Sequence, residues 1–350
     1  MSQKPGKIDE HMLGNFITSR CGKPNENVRV KPGFGIDVSV VALAGDQGMA
    51  LTSDPLSLIP SLGLQESAWL SVHLMANDMS TTGFAPQFGQ FVLNLPATFS
   101  QEDFKTYWQY IHEYCTALGV NITGGHTGFV EGQNSTIAGG GTFISIAPLE
   151  QILTTTKAQE GDSLLLTKGA AISSAAILGM CFPQTVANKL GKEIYQQAEA
   201  SFYQTSSLKD ALVARGKPEN QEVTAMHDVT EGGVLGAVYE MATAANCGAI
   251  IAEQSIPVGH VQKAICQLFE LDPNHCIGAG AMLIACKKDK VQEIIGRLKT
   301  ENIPCAEIGS LTSPDKGVLL RKEGKLTPLP YQEVDPYWAA FYEAYKKGWK

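Results

Sequence analysis

Residues 226–242, MHDVTEGGVLGAVYEMA, constrain this chain more than any other stretch. A His-Asp pair and a Thr-Glu pair run into two glycines, then into apolar residues at helical spacing. Val234, Leu235, Val238, Met241, Ala242 and Ala245 fall on one stripe. Thr230 is placed to cap that helix. Gly232 and Gly233 leave its first turn without side chains, so a phosphate can approach the N–H groups there. The plainer reading of the same residues is a core helix entered by a polar turn.

A second half-site lies upstream. Ala50-Leu51-Thr52-Ser53-Asp54 reads as an apolar strand with an acidic end, followed by Pro55. Asn77-Asp78 leads to Gly83 and Pro86, and TGGHTG occupies 123–128. With Gly35-Ile36-Asp37, three aspartates stand beside turn signals: Asp37, Asp54 and Asp78. Carboxylates collected at element ends suit Mg²⁺, which takes oxygen ligands and shares them with phosphates. A Gly-Gly turn brings backbone close to a polyanion. Each aspartate alone is as well explained as a turn residue.

In this order the motifs resemble the AIR synthase-related (PurM-like) superfamily over roughly residues 33–325. They are Gly35-Ile36-Asp37, Thr52-Ser53-Asp54-Pro55, Asn77-Asp78 through Gly83 and Pro86, Gly124-Gly125-His126-Thr127 and His227–Gly233. The last is most like the hydrogenase-maturation HypE branch. The resemblance implies two α+β domains, a homodimer whose N-terminal sheets form a barrel, and a C-terminal α/β sandwich domain. It also implies ATP and Mg²⁺ as cofactors, with phosphoryl transfer to an amide-type oxygen or other heteroatom of a small molecule. AIR synthase itself and a non-catalytic nucleotide-binding or maturation protein are the alternatives. Under this reading Asp37, Asp54 and Asp78 hold the metal. Asn77, Gly124, Gly125, His126, Thr127, Thr230, Gly232 and Gly233 contact the nucleotide, and His227, Asp228 and Glu231 are the catalytic candidates. Relatives often carry Asp where His126 stands. Imidazole is a poor Mg²⁺ ligand, so the metal shell is expected to be smaller or His126 to touch phosphate. The carrier cysteine that closes a HypE tail has no counterpart after Cys305, so a free small-molecule acceptor is expected.

Composition narrows the partners. Twenty-seven basic against 35 acidic residues give a net charge of −8, without a basic cluster. That argues against nucleic acid or an anionic membrane as the main partner. The eight cysteines contain no Cys-x-x-Cys pair, so reduced, non-catalytic thiols in a cytoplasmic protein are expected. No apolar run nears the roughly 20 residues of a membrane span.

The pattern divides the chain into a polar arm (1–32), an N-terminal domain (33–150), a C-terminal domain (151–325) and an aromatic tail (326–350). Strands are expected at 38–43, 49–52, 88–95, 120–123, 136–147, 164–167, 249–253, 279–286 and 306–310, the last closing its sheet. Helices are expected at 65–80, 100–118, 172–180, 261–269 and 290–301, with one or two over 192–215 and the turn and helix described above over 227–245. Mixed strands and helices without strict alternation favour α+β. Aromatics at helical spacing over 335–349 are expected to dock on the chain's own body or on a partner protein.

Overall fold

The computed structural model describes residues 6–8 and 10–350. Along the first part run α1 (Glu10–Met12), β1 (Val28–Val30), β2 (Ser39–Ala42), β3 (Gln47–Ser57) and α2 (Leu64–Ser80). β4 (Phe88–Pro96), α3 (Gln101–Ala117), β5 (Asn121–Val130) and β6 (Ile137–Pro148) complete it. The sheet order is β1-β2-β3-β6-β4-β5. Its pairs are antiparallel except β4 with β5, which α3 connects. The expected arm therefore supplies an edge strand, because Val28 and Val30 pair with β2. Ser100 caps α3 by accepting the Asp103 N–H, as its sequence foretells.

The 120–123 strand does not end at a Gly-Gly turn. β5 continues through Gly124, Gly125, His126 and Thr127, paired with Gln90 to Leu93. Gly125 has φ +144°, and a Cβ there would collide with the Phe91 carbonyl. The glycine is required by strand contact, not by a turn.

The second part holds β7 (Ser163–Thr167), α4 (Ile172–Cys181), α5 (Pro183–Leu190), α6 (Lys192–Ser201), α7 (Leu208–Arg215) and β8 (Val223–Asp228). Then come α8 (Gly233–Ala244), β9 (Gly248–Ala252), α9 (His260–Leu268), β10 (Met282–Cys286), α10 (Val291–Thr300) and β11 (Cys305–Thr312). β12 (Val318–Lys322), β13 (Lys325–Pro328) and α11 (Pro336–Lys346) end it. The seven strands order as β13-β12-β9-β11-β7-β10-β8. β11 is therefore not the closing strand. The added hairpin turns at Glu323-Gly324, both at positive φ, as a two-residue turn requires.

This sheet is covered on both faces. Leu164 and Leu166 of β7 join α8 in one core, while Leu165 joins α7 and α10 in another. That is why the strand is an unbroken apolar run. α2 is likewise buried on two sides. Val72, Met75 and Met79 pack into the first sheet, and Leu70 and Trp69 into a helical cluster with α4, α6 and α9. α11 lies in that cluster through Tyr337 and Ala344, with Phe341 on Phe182. The aromatic tail docks on its own chain. Among the described residues no helix is long and apolar enough to cross a membrane.

The connector between α6 and α7 is pinned from two directions. Asn77 Nδ2 donates to the Thr205 carbonyl at 2.9 Å, and its Oδ1 accepts the Ser207 N–H at 2.7 Å. Lys168 Nζ donates to the Gln204, Ser206 and Gly280 carbonyls and pairs with Asp210 at 3.1 Å. His73 stacks on Trp69 and shares a 2.9 Å hydrogen bond with Ser206. Burial holds the His73 pKa down at about 3. Between pH 6.5 and 3 the unfolded chain therefore binds a proton there that the folded chain refuses, so stability falls as pH drops. Denaturant titrations should show about 2 kcal/mol lost from this residue between pH 7 and 5. His73→Gln should flatten that slope, whatever its own cost in stability.

Candidate active site

β8 places its last two residues at the junction of the two sheets. Antiparallel pairing with β10 sets Leu283 opposite His227 and Met282 opposite Asp228. The loop before β2 brings Asp37 across from the first part. His227 is fully buried between two carboxylates, Nδ1 at 2.6 Å from Asp37 Oδ2 and Nε2 at 2.9 Å from Glu240 Oε2. Burial alone would lower the His227 pKa, but Asp37 and Glu240 outweigh it and raise it well above the usual value. The ring is therefore an imidazolium donating both N–H groups. Glu240 falls to about 2, because Lys7, His227 and the Tyr331 hydroxyl together overcome its burial.

Ligand atoms of Asp37, His227 and Asp228 lie within 4.8 Å of one another. Asp54 enters from the middle of β3, and Asp78 from the last turn of α2, accepting the Thr52 hydroxyl at 2.8 Å. Their electrostatics mark them as one group. Asp78 is held well above the normal carboxylate range by burial and by repulsion from Asp228, Asp54 and Asp37. Asp228 rises to about 7 through burial and repulsion from Asp37 and Asp54, against the pull of His227 and Lys7. Asp54 rises to about 6, mainly through burial. Such a set of crowded, poorly compensated carboxylates is stabilised by a cation or by protons.

The remaining expected residues divide. Glu231 does not face the cluster freely: Oε2 accepts the Lys7 N–H at 2.8 Å, and Oε1 the Trp338 indole N–H at 3.0 Å. Thr230 is not the cap of α8; Gly232 holds that position at φ +80° without a side-chain cap. The N–H groups expected to meet a phosphate are already engaged. Gly232 donates to Asp335 Oδ2 at 2.7 Å, Gly233 to the Thr230 carbonyl and Leu235 to the Asn274 carbonyl. Asn77 lies beside Asp78 but spends its amide on the 205–207 backbone. Gly124 to Thr127 are not brought to the aspartates within one chain. From Asp54 the register runs through Gly141 and Phe91 to Gly125, three strand spacings or about 14 Å. His126 is exposed, in register with exposed Val92.

Lys7, Glu240, Tyr331 and Asp335 were not singled out from the sequence. Glu240 had a signal, as the one acidic residue in the apolar helix α8. The others become visible only when the chain ends fold over the site.

Residues 35–146 match the model for the N-terminal domain of AIR synthase related proteins, and residues 159–322 match that for the C-terminal domain. The chain belongs to the AIR synthase-related family. A Methanocaldococcus jannaschii protein, provisionally named for hydrogenase expression/formation, is 26% identical over 321 residues, covering 90% of this chain and 91% of its own. Among solved structures, the hydrogenase maturation protein HypE in complex with ATP superposes with a TM-score of 0.65 at 17% identity, covering 93% of each chain. A ThiL protein complexed with AMPPCP and TMP gives 0.67 at 16% identity, covering 86% of this chain and 91% of that one. These two establish likeness of fold.

The loop carrying Asp37 depends on Gly35, which has φ +71° and leaves no room for a Cβ against the Glu240 carbonyl. Gly35→Ala should destabilise the protein by about 1–3 kcal/mol in urea unfolding. Gly45→Ala, at φ +75° with open space around it, is the control and should cost only about 1 kcal/mol.

Proposed function

We propose that the chain is a Mg²⁺- and ATP-dependent enzyme that phosphorylates an amide-type oxygen, or another heteroatom, of a free small molecule. The observation that carries this reading is the convergence of Asp37, Asp54, Asp78 and Asp228 at the junction of the two sheets. The donors fit a hard divalent cation: they are carboxylate oxygens gathered at one place, and Asp78 and Asp228 are raised in pKa by burial and by their acidic neighbours. Asp37 and Asp228 would hold it with Asp54 and Asp78 as further ligands. The bound ion would neutralise phosphate charge as the phosphoryl group transfers. The relatives solved with ATP and with AMPPCP support a nucleotide as the phosphoryl source.

The chain's own contribution is positioning. His227 has no free ring nitrogen, so its work is to fix Asp37 rather than to move a substrate proton. Asp228 shares the cluster with Asp37 and is assigned to the metal rather than to acid–base chemistry. Glu231 acts through the chain ends it binds. The thiols are not part of this reading: burial pushes Cys115, Cys286 and Cys305 up to about 12 and Cys181 to about 11, which suppresses the nucleophilic thiolate.

Asp54→Asn and Asp78→Asn should each weaken Mg·ATP binding at least about tenfold by calorimetry while the protein stays folded. Wild-type affinity in both would overturn the site. His227→Gln separates positioning from proton transfer. A positioning residue predicts weaker metal binding together with lower kcat; lower kcat at unchanged metal affinity would restore the acid–base role.

A homodimer through the first sheet belongs to the same reading. Its outer face exposes Phe88, Val92 and Ile146, and the edge strand adds Phe129 and Val130. An apolar surface of this kind is usually covered. Light scattering should give twice the 37.5 kDa chain mass; a monomer at micromolar concentration would count against it.

A further inference from the structure

One carboxyl group holds both ends of this chain. Glu231 accepts the Lys7 backbone N–H on one oxygen and the Trp338 indole on the other. Gly6, at φ +113°, passes so close that a Cβ would lie 3.2 Å from Glu231 Oε2. The backbone thus anchored carries the Lys7 side chain to the acidic cluster. Its ammonium donates to Thr230 Oγ1 at 3.1 Å and stands 3.6 Å from Glu240 Oε2. Burial would lower the Lys7 pKa, but Glu240, Asp37, Asp228 and Glu231 outweigh it and raise it. The ammonium thus stands beside Glu240, which shares the His227 ring with Asp37, one of the carboxylates assigned to the metal.

The tether is of a kind that can let go. The Lys7 side chain is about half exposed, while its partner Glu240 is buried. The ammonium can leave into water without opening a core. The N-terminal strap, described at residues 6–8 and 10–20, precedes the family match, which begins at residue 35. It contains α1 and two further short helical turns, none with a buried residue. An ammonium and a divalent ion among the same carboxylates repel each other and compete for one set of negative charges.

We propose that Lys7 is the resident counter-ion of the acidic cluster and exchanges with the divalent cation, so that loading the site releases the N-terminal strap from Glu231. This rests on the metal reading above. Before loading, the strap lies over the acidic cluster and the Lys7 ammonium offsets repulsion among its carboxylates. After loading, the ion takes over that neutralisation, the strap loses its charge anchor, and the cluster is uncovered for the acceptor.

The test uses the full chain without nucleotide. Mg²⁺ and Mn²⁺ are titrated by calorimetry into wild type, Lys7→Met, which keeps the stem without the charge, and Lys7→Arg, which keeps the charge. Lys7→Met should bind the ions roughly three- to tenfold more tightly, and Lys7→Arg within about twofold of wild type. In parallel, trypsin should cut wild type after Arg20 faster when Mg²⁺ is added, with the released arm read by mass spectrometry. Equal or weaker ion binding by Lys7→Met, or protection of Arg20 by Mg²⁺, would overturn the exchange and leave the metal site standing. Absence of binding in all three proteins would remove the metal site and the exchange together.

Discussion

The buried imidazolium of His227 is the joint on which the site depends. It ties a loop of the first part, through Asp37, to a strand and a helix of the second, through its own backbone and Glu240. One cation is shared here by two largely buried carboxylates, of which Glu240 has a second cationic neighbour, Lys7. Breaking one arm of such an arrangement typically costs about 3–5 kcal/mol, because the other charge is left buried without its partner. The same joint sets the distance between Asp37 and Asp228, and so the shape of the acidic cluster. Gly35 makes the close approach possible, and the apolar packing of α8 keeps Glu240 in place.

The joint works because the two sheets are held in register elsewhere. α2 is buried on both sides, and its polar residues His73 and Asn77 bind the connector between α6 and α7. Asn77 and Lys168 bind successive backbone groups of that connector, from opposite parts of the molecule. Asn77 and Asp78 are adjacent but do different work. One fixes the position of α2 against the second part, and the other projects from α2 into the cluster. A rigid helix with this division can place a carboxylate to within the tolerance that metal coordination demands.

Much of this was legible in the sequence. The helices at 64–80 and 101–117, the apolar strand at 163–167 and the two α+β halves follow from periodicity and capping. Asp37, Asp54, Asp78 and the His227-Asp228 pair were found by motif, and the fold brings them together. What failed was the reading of glycine. Gly124-Gly125 has the composition of a turn, yet Gly125 is dictated by the Phe91 carbonyl beside it in a paired strand. Gly233 has a similar reason, since a Cβ there would meet the Asn274 and Cys276 carbonyls at 2.6 and 2.8 Å. Local sequence shows that a side chain is forbidden, but not which distant backbone forbids it. The roles of Lys7, Tyr331 and Asp335 were hidden for the same reason: they act on residues more than ninety positions away.

Asp335 changes the physical account of how an acidic protein would hold a polyanion. The N-terminus of α8 has the glycines and dipole of an anion site, but the chain fills it with its own carboxylate. Gly232 N–H is satisfied at 2.7 Å, and Asp335 also caps α11 by accepting the Tyr337 N–H. The helix dipole is spent on joining the C-terminal segment to the turn that follows Asp228. Under the proposed reading, positive potential for a phosphate comes instead from what the carboxylate cluster gathers: the ammonium of Lys7 before loading and a divalent ion after it. On that reading the cluster and the closed helix terminus are two halves of one arrangement, in which anion affinity is conditional on a cation.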